Sequence, residues 1–334
     1  MLPKTGVAAA TLLVLLAGSQ PAWGDDLDLD RDESKKREGG EAGDKTTLRA
    51  RLEGSKISLG HYVSAYTFSK DAELTWNPTV LQLIALQPRW EVNDELTIRA
   101  ELEIETELTN SDETVYEREP VIGDLALSTS RAFEELPGDL AASVGIRLSL
   151  PTSQESRARR RWAGLSCTGQ LEHEIELGGG VSVTPNVRAR AAYSLATARE
   201  VRYEGPSIER CRPVDGNCSS LFDHEAVRSP VATFQESAGL DLTLTPRLEG
   251  EVSVIWMQGW LHPLSEYQGL PDASGTNWRY VMSYSIGLDY EINDHFGLGA
   301  GMETTNPQQR PDSSSYPPFF NRYTYFYITA EAVL

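Results

Sequence analysis

The stretch Glu95-Leu-Thr-Ile-Arg-Ala-Glu-Leu-Glu-Ile-Glu-Thr-Glu-Leu108 alternates apolar and polar residues almost without a break. Successive side chains of an extended strand point to opposite faces, so this stretch would separate its aliphatic residues from its charged residues. Soluble sheets also contain single strands of this kind. A chain that repeats the alternation throughout, with connections that are alternately very short and very long, is typical of a β-barrel that spans a membrane.

Four hairpins share one construction, in which three turn residues stand between two apolar residues. They are Val92–Leu96, Leu177–Val181, Leu244–Leu248 and Ile292–Phe296. Asparagine, aspartate and glycine suit the tight positions of such turns. A fifth and looser hairpin joins Leu125–Arg131 to Leu140–Leu150.

The register of each hairpin provides an internal check. A three-residue loop fixes which residues lie opposite each other, and a slip of one residue would mix the two faces. In the last hairpin Leu288 faces Ala300 and Ile286 faces Met302, whereas Asp289 lies on the other face. The third hairpin separates its faces in the same way.

Counting these segments predicts an all-β fold, an antiparallel transmembrane β-barrel that covers residues 46–334. The five hairpins contribute ten strands, the run Tyr323–Leu334 adds one, and residues 46–68 must add an odd number if both termini lie on the same side. We therefore predict twelve strands, with ten or fourteen as alternatives.

The N-terminal region has the features of an exported protein. Residues 1–24 combine Lys4, a short apolar run and small residues before a cleavage site, which predicts a cleaved secretory signal peptide. Residues 25–45 are mostly charged residues and glycines, and we expect them to be disordered. No later segment has eighteen consecutive apolar residues, so no transmembrane helix is expected. The net charge of −19 argues against nucleic acid as a partner.

The three cysteines are few enough to treat one by one. Cys211 and Cys218 lie in a polar loop of an exported chain, and we predict a disulfide between them because exported compartments are oxidising. Cys167 occupies a lipid-facing strand position and is interpreted as a small apolar residue.

The chain from residue 25 onward resembles the β-barrels of the Gram-negative outer membrane. The resemblance rests on the hairpin turns, on a final alternating strand that reaches the C-terminus, and on aromatic residues near strand ends. These aromatic residues are Trp76, Trp90, Trp162, Trp256, Trp260, Trp278, Tyr280 and Tyr290. Barrels of this class usually end in phenylalanine, whereas this chain ends in Leu334. The resemblance implies an outer-membrane location, short periplasmic turns, long outer loops, and contact with outer-membrane lipid and lipopolysaccharide.

If the apolar faces meet lipid, the opposite faces line a strongly charged lumen. The candidate pore-lining residues are Arg99, Glu101, Glu103, Glu105, Arg147, Glu172, Glu174, Arg188, Arg190, Asp241, Glu251, Arg279 and Asp289. With Leu177 opposite Val181, Gln170 lies opposite Arg188. Such ladders either set up a field in a water-filled pore or neutralise one another in a lumen too narrow to conduct.

A hydrolase is the less favoured alternative. The five histidines are His61, His173, His224, His262 and His295. His224 and His262 fall in loops, and neither has a Gly-x-Ser-x-Gly turn or an evident oriented partner. No metal-ligand spacing occurs, so no metal and no cofactor are predicted. The run Arg157-Ala-Arg-Arg-Arg161 would lie in an outer loop, where it either binds phosphates of lipopolysaccharide or a ligand, or is simply solvated.

The sequence therefore predicts a channel or uptake pore for small solutes rather than an enzyme. A non-conducting barrel that anchors surface loops for adhesion or envelope structure is the alternative. The pattern identifies neither the solute nor the oligomeric state.

Overall fold

A computed structural model describes residues 52–68, 79–93, 96–109, 118–136, 140–197, 200–201, 227–262, 277–307, 317, 319–321 and 323–334. In this part of the chain the strands are β1 (Lys56–Ser64), β2 (Val80–Gln87), β3 (Arg89–Asn93), β4 (Leu96–Glu107), β5 (Pro120–Ile122), β6 (Leu125–Leu136), β7 (Leu140–Leu150), β8 (Arg161–His173), β9 (Ile175–Gly178), β10 (Val181–Ala196), β11 (Glu200–Val201), β12 (Val227–Arg228), β13 (Pro230–Thr245), β14 (Leu248–Leu261), β15 (Trp278–Asn293), β16 (Phe296–Pro307) and β17 (Thr324–Val333). A 3-10 turn spans Ala65–Phe68, and a short helix α1 spans Gln154–Ala158.

Twelve of these strands close into one antiparallel barrel. Their order around the barrel is β1, β2, β4, β6, β7, β8, β10, β13, β14, β15, β16 and β17, and β17 pairs with β1 to complete the circle. Three short strands lengthen the wall, because β3 follows β2, β5 precedes β6 and β9 follows β8. The predicted all-β fold and strand number are confirmed.

The hairpin registers agree with those read from the sequence. Leu288 pairs with Ala300, and Ile286 pairs with Met302. In all four short hairpins the register shifts by one residue next to the turn, as between Glu291 and Asn293. A three-residue loop closed by a bulge produces this shift. We call the end of the barrel with these turns the turn end, and the opposite end the loop end.

Burial in the barrel is inverted relative to a soluble protein. Ile57, Ile146 and Ile328 on the outer wall are each more than half exposed. The positions that point inward carry small polar residues such as Ser166 and Ser285, which are buried. Because exposed aliphatic surface costs about 25 cal/mol per Å² in water, an outer wall of this composition is suited to hydrocarbon.

Part of the last long connection lies against the outside of the barrel at the loop end. We call residues 317 and 319–321 the outer flap. By register Thr304 and Thr324 belong to the outer wall, yet they are only 1% and 0% exposed. Their hydroxyls lie 2.7 Å apart, and the backbone N–H of Asn321 donates to Thr324 Oγ1 over 2.9 Å. The flap therefore covers this patch of the wall.

The flap presents two phenylalanine rings outward. The Phe319 ring lies 5.4 Å from that of Tyr284, and the Phe320 ring lies 6.3 Å from that of Phe326. Phe320 has a backbone φ of 59°, a value that residues other than glycine rarely adopt. Aromatic rings at this height of a lipid-facing wall are characteristic of membrane interfaces.

Several sequence predictions lie outside the described residues. These are the signal peptide, the disordered segment 25–45, the Cys211–Cys218 disulfide, Trp76 and His224. None of the helices in the described residues is long and apolar enough to cross a membrane.

Candidate functional site: the barrel lumen

The register assigns each strand residue to the lumen or to the outer wall, because cross-strand partners share a face. Twelve of the thirteen predicted pore-lining residues have the lumen register, in β4, β7, β8, β10, β13, β14 and β15. Glu174 instead lies in the one-residue gap between β8 and β9, where it is exposed.

One side of the lumen carries carboxylates on five consecutive strands. We call this the acidic arc, and it consists of Asp241, Glu251, Asp289, Glu303 and Glu331. Asn186 donates to Asp241 Oδ2 over 3.0 Å, and Lys56 Nζ lies 3.3 Å from Glu331 Oε1.

The wall formed by β7, β8 and β10 carries four arginines, together with the carboxylate of Glu172. We call the four arginines the basic arc, and they are Arg147, Arg161, Arg188 and Arg190. Arg188 donates from Nε and Nη2 to Gln170 Oε1, over 3.0 and 2.8 Å. The predicted pairing of Gln170 with Arg188 is therefore confirmed, and Gln170 in turn donates to Glu172 over 3.1 Å.

Strand β4 contributes a mixed ladder of Arg99, Glu101, Glu103 and Glu105. Glu101 forms an ion pair with Arg147, with Oε2 and Nη1 2.8 Å apart. Both side chains are at least nine-tenths buried. Glu101 thus holds the guanidinium of Arg147 against the wall.

The two arcs produce a field across the lumen. Strand β17 lies six strands from β8, which is directly opposite in a twelve-strand barrel. At a strand spacing of 4.8 Å and a tilt near 40°, opposite backbones lie about 24 Å apart. Carboxylates and arginines on facing walls at this separation create a transverse field for any ion between them.

Two tyrosines that the sequence interpretation overlooked lie on the acidic side of the lumen. The rings of Tyr62 and Tyr327 are 5.6 Å apart. Tyr327 lies over glycines, and a Cβ at Gly287 would come within 2.7 Å of its hydroxyl oxygen. These glycines let the ring lie flat along the wall. Glu303 is a third lumen residue that the sequence interpretation missed. The register of the last hairpin would have placed it in the lumen, because Glu303 follows Met302, which faces outward.

The predicted basic loop is anchored to the barrel rather than solvated throughout. Arg159 is 2% exposed and donates to Glu155 Oε1 from Nε and Nη2, over 2.9 and 2.6 Å. Arg161 Nη1 donates to Asp124 Oδ2 over 2.9 Å. The solvated-loop alternative does not hold for these two residues, because their guanidinium groups pair with the carboxylates of Glu155 and Asp124. Arg157 and Arg160 are exposed.

Asp124 organises the loop end on this side of the barrel. Its Oδ1 accepts from the Ser153 N–H over 3.0 Å, and its Oδ2 accepts from Ser156 Oγ as well as from Arg161. Thr152 completes the contact by donating its hydroxyl to the Gly123 carbonyl over 2.7 Å. The segment 151–160 is therefore fastened at the junction of β5 and β6.

The histidines are dispersed in the described part of the chain. His61 and His173 have the register of the outer wall, His262 follows β14, and His295 lies in a turn. Cys167 also faces outward, as predicted, and is a free thiol. Within the described residues no three His, Cys, Asp or Glu side chains are grouped to hold a metal ion.

No protein-family model matches the chain, and no curated protein is similar to it in sequence. Among solved structures, an outer membrane channel from Pseudomonas putida F1 has a TM-score of 0.51 at 11% identity, covering 89% of this chain and 100% of that one. The fold is that of an outer-membrane β-barrel. The NanC porin and the KdgM porin are more distant, with TM-scores of 0.42 and 0.41 at 7% and 8% identity. Each match covers 84% of this chain and nearly all of the porin.

Proposed function

We propose that this protein is an outer-membrane channel through which small polar solutes diffuse. The observation that carries the proposal is a closed twelve-strand barrel with an aliphatic outer wall and a charged inner wall. An aliphatic outer wall stabilises the barrel in lipid, and a charged inner wall is stable only where water reaches it or where charges are paired. The turn end would face the periplasm and the loop end the exterior.

The distribution of charge in the lumen supports a conducting, water-filled lumen rather than a lumen filled by side chains. A lumen packed to exclude water would favour alternating charges that neutralise their neighbours. Here most lumen carboxylates lie on β13 to β17 and most lumen arginines on β7 to β10, with Glu172 and Arg279 as exceptions, so a hydrated path experiences mainly opposite signs on its two sides.

The proposal is tested by recording single-channel currents from the purified protein in planar lipid bilayers with KCl on both sides. We expect discrete, uniform current steps. Protein that shows the heat-modifiable gel shift of a folded barrel yet gives no steps would contradict the proposal and favour a non-conducting barrel that displays surface loops.

A further inference from the structure

We propose that the lumen contains a binding subsite for small quaternary ammonium ions, formed by Tyr62, Tyr327 and Glu303. The inference rests on the proposed channel function and names a solute class that the channel would favour. The three residues lie on the adjacent strands β1, β17 and β16. Gly301, which pairs with Tyr327, is near the middle of β16, so the subsite lies about halfway along the barrel wall.

The two tyrosine rings form one continuous surface on the wall. Their centroids are 5.6 Å apart and their planes differ by 37°. In a closed barrel of twelve strands the wall turns by about 30° from one strand to the next. Two rings that lie flat on neighbouring strands would differ by about this angle. Both rings therefore follow the curvature of the wall and turn one face toward the lumen.

Glycines beneath the rings make this arrangement possible. A Cβ at Gly60 would come within 2.7 Å of the Tyr62 ring. Tyr327 extends sideways over β16 and β15, where a Cβ at Gly301 and one at Gly287 would come within 2.5 and 2.7 Å of its hydroxyl oxygen. Because these positions carry no side chains, both rings lie against the backbone instead of projecting into the lumen. Their inward faces are thus presented to a solute that passes along this wall.

The charge beside the rings is negative. Three carboxylates, from β4 and β16, lie close enough for their charges to act on the Tyr62 hydroxyl, and they are Glu103, Glu105 and Glu303. Glu303 is also diagonal to Tyr327 in the register, within reach of a long side chain. Among the described residues the Glu303 carboxylate has no hydrogen-bond or ion-pair partner. The arginines of the basic arc lie across the lumen, on β7, β8 and β10.

Aromatic faces beside a carboxylate suit an organic cation. The face of a tyrosine ring attracts a cation that lies within about 6 Å of its centroid, and quaternary ammonium ions are recognised by such rings. The methyl groups of such an ion also remove apolar surface from water when they contact the rings. An uncharged solute of the same shape gains only the apolar contact, and a hydrated inorganic cation gains mainly the attraction to the carboxylate. A quaternary ammonium ion gains both.

The test compares choline with its uncharged carbon isostere, in which a tert-butyl group replaces the trimethylammonium group. Single-channel KCl currents are recorded at about 0.1 M salt, where charge interactions are screened only beyond about 10 Å. An equal addition of NaCl controls for ionic strength. We expect choline to reduce the current in a concentration-dependent way, and neither the isostere nor NaCl to do so. If the isostere blocks as strongly as choline, or if choline acts like NaCl, the subsite is refuted.

Three variants separate the ring from the charge. Tyr62→Leu removes a ring face and Glu303→Gln removes the carboxylate, and each should raise the half-blocking concentration of choline at least about threefold. Tyr62→Phe keeps the ring and should be blocked like wild type. The matched control for Glu303→Gln is Glu236→Gln, which removes a carboxylate from the outer wall.

The variants also give the results that would overturn the subsite. Folded Tyr62→Leu and Glu303→Gln proteins that choline blocks like wild type would do so, as would loss of the block in Tyr62→Phe. Absence of KCl current in wild type would instead contradict the channel function on which the subsite rests.

Discussion

Replacing Asp124 with asparagine should loosen the 151–160 segment and so make the peptide bonds after its arginines easier for trypsin to cleave. The carboxylate of Asp124 accepts from the Ser153 N–H, from the Ser156 hydroxyl and from the Arg161 guanidinium. The side chains of Asp124 and Arg161 are only 17% and 5% exposed, so solvent screens the ion pair weakly.

The expected magnitude follows from the contacts that asparagine cannot make. Asparagine keeps one acceptor oxygen but loses the second oxygen and the charge. Hydrogen bonds to charged groups contribute roughly 1.5–3 kcal/mol each, so we expect the segment to lose about 3 kcal/mol of local stability. Since 1.4 kcal/mol is a factor of ten, its open population should rise roughly 100-fold.

Limited proteolysis with mass spectrometry measures this change site by site. When opening is fast relative to cleavage, the cleavage rate follows the open population. We expect faster cutting after Arg157, Arg159 and Arg160 in Asp124→Asn, with sites outside the 151–160 segment unchanged. Glu53→Gln is the control, because Glu53 is an exposed carboxylate far from this segment in the sequence. If the two variants are cut at the same rate within 151–160, Asp124 does not fasten the segment.

Three further outcomes are expected. The double substitution Glu103→Gln and Glu105→Gln should lower cation preference, because it removes two lumen carboxylates. Under a KCl gradient the reversal potential should then shift toward the equilibrium potential of chloride. Thr304→Val should lower the free energy of unfolding by about 1 kcal/mol, measured by the heat-modifiable gel shift, because it deletes one buried hydrogen bond. Gly301→Ala should cost about 1–3 kcal/mol in urea unfolding, since its Cβ would collide with the backbone carbonyl oxygen of Ile286 and would meet the Tyr327 hydroxyl at 2.5 Å.

Each of these has a control that separates the proposed cause from a general effect. Glu236→Gln removes a carboxylate from the outer wall and should leave the reversal potential unchanged. Adding Thr324→Val to Thr304→Val should cost less than the sum of the single substitutions if the two hydroxyls interact. Gly169→Ala should be tolerated, because nothing lies within 4 Å of the Cβ it would add. The first argument is refuted if the Glu103/Glu105 double variant has the wild-type reversal potential. The second is refuted if the two threonine substitutions have additive effects, and the third if Gly301→Ala and Gly169→Ala are equally destabilising.

Most strands of the barrel could be predicted from the sequence, because two independent signals agree at four of the five hairpins. The period-two alternation assigns the faces, and the three-residue turns fix the register. Together they placed Arg99 and Arg188 on one face and Cys167 on the other. Twelve strands followed from counting these units.

The loop end could not be predicted in the same way, because its contacts depend on distant residues rather than on periodicity. Nothing in the run Arg157–Arg161 shows that Asp124, more than thirty residues earlier, binds Arg161. The outer flap gives a second example, since its fit depends on Thr304 and Thr324 being brought side by side by β16 and β17. Alternation assigned these threonines to the outer wall but could not show that the chain covers them.

The most direct test of the charged, water-filled lumen uses two neighbouring positions on β6. Ser128 has the lumen register and Leu127 the outer-wall register. Each is replaced by cysteine in a background in which the native cysteines are serine or alanine, and a water-soluble thiol reagent is added during single-channel recording. A current that falls stepwise with Ser128→Cys and stays constant with Leu127→Cys is the predicted result. Equal responses, or a response only at position 127, would contradict an aqueous path along the inner wall.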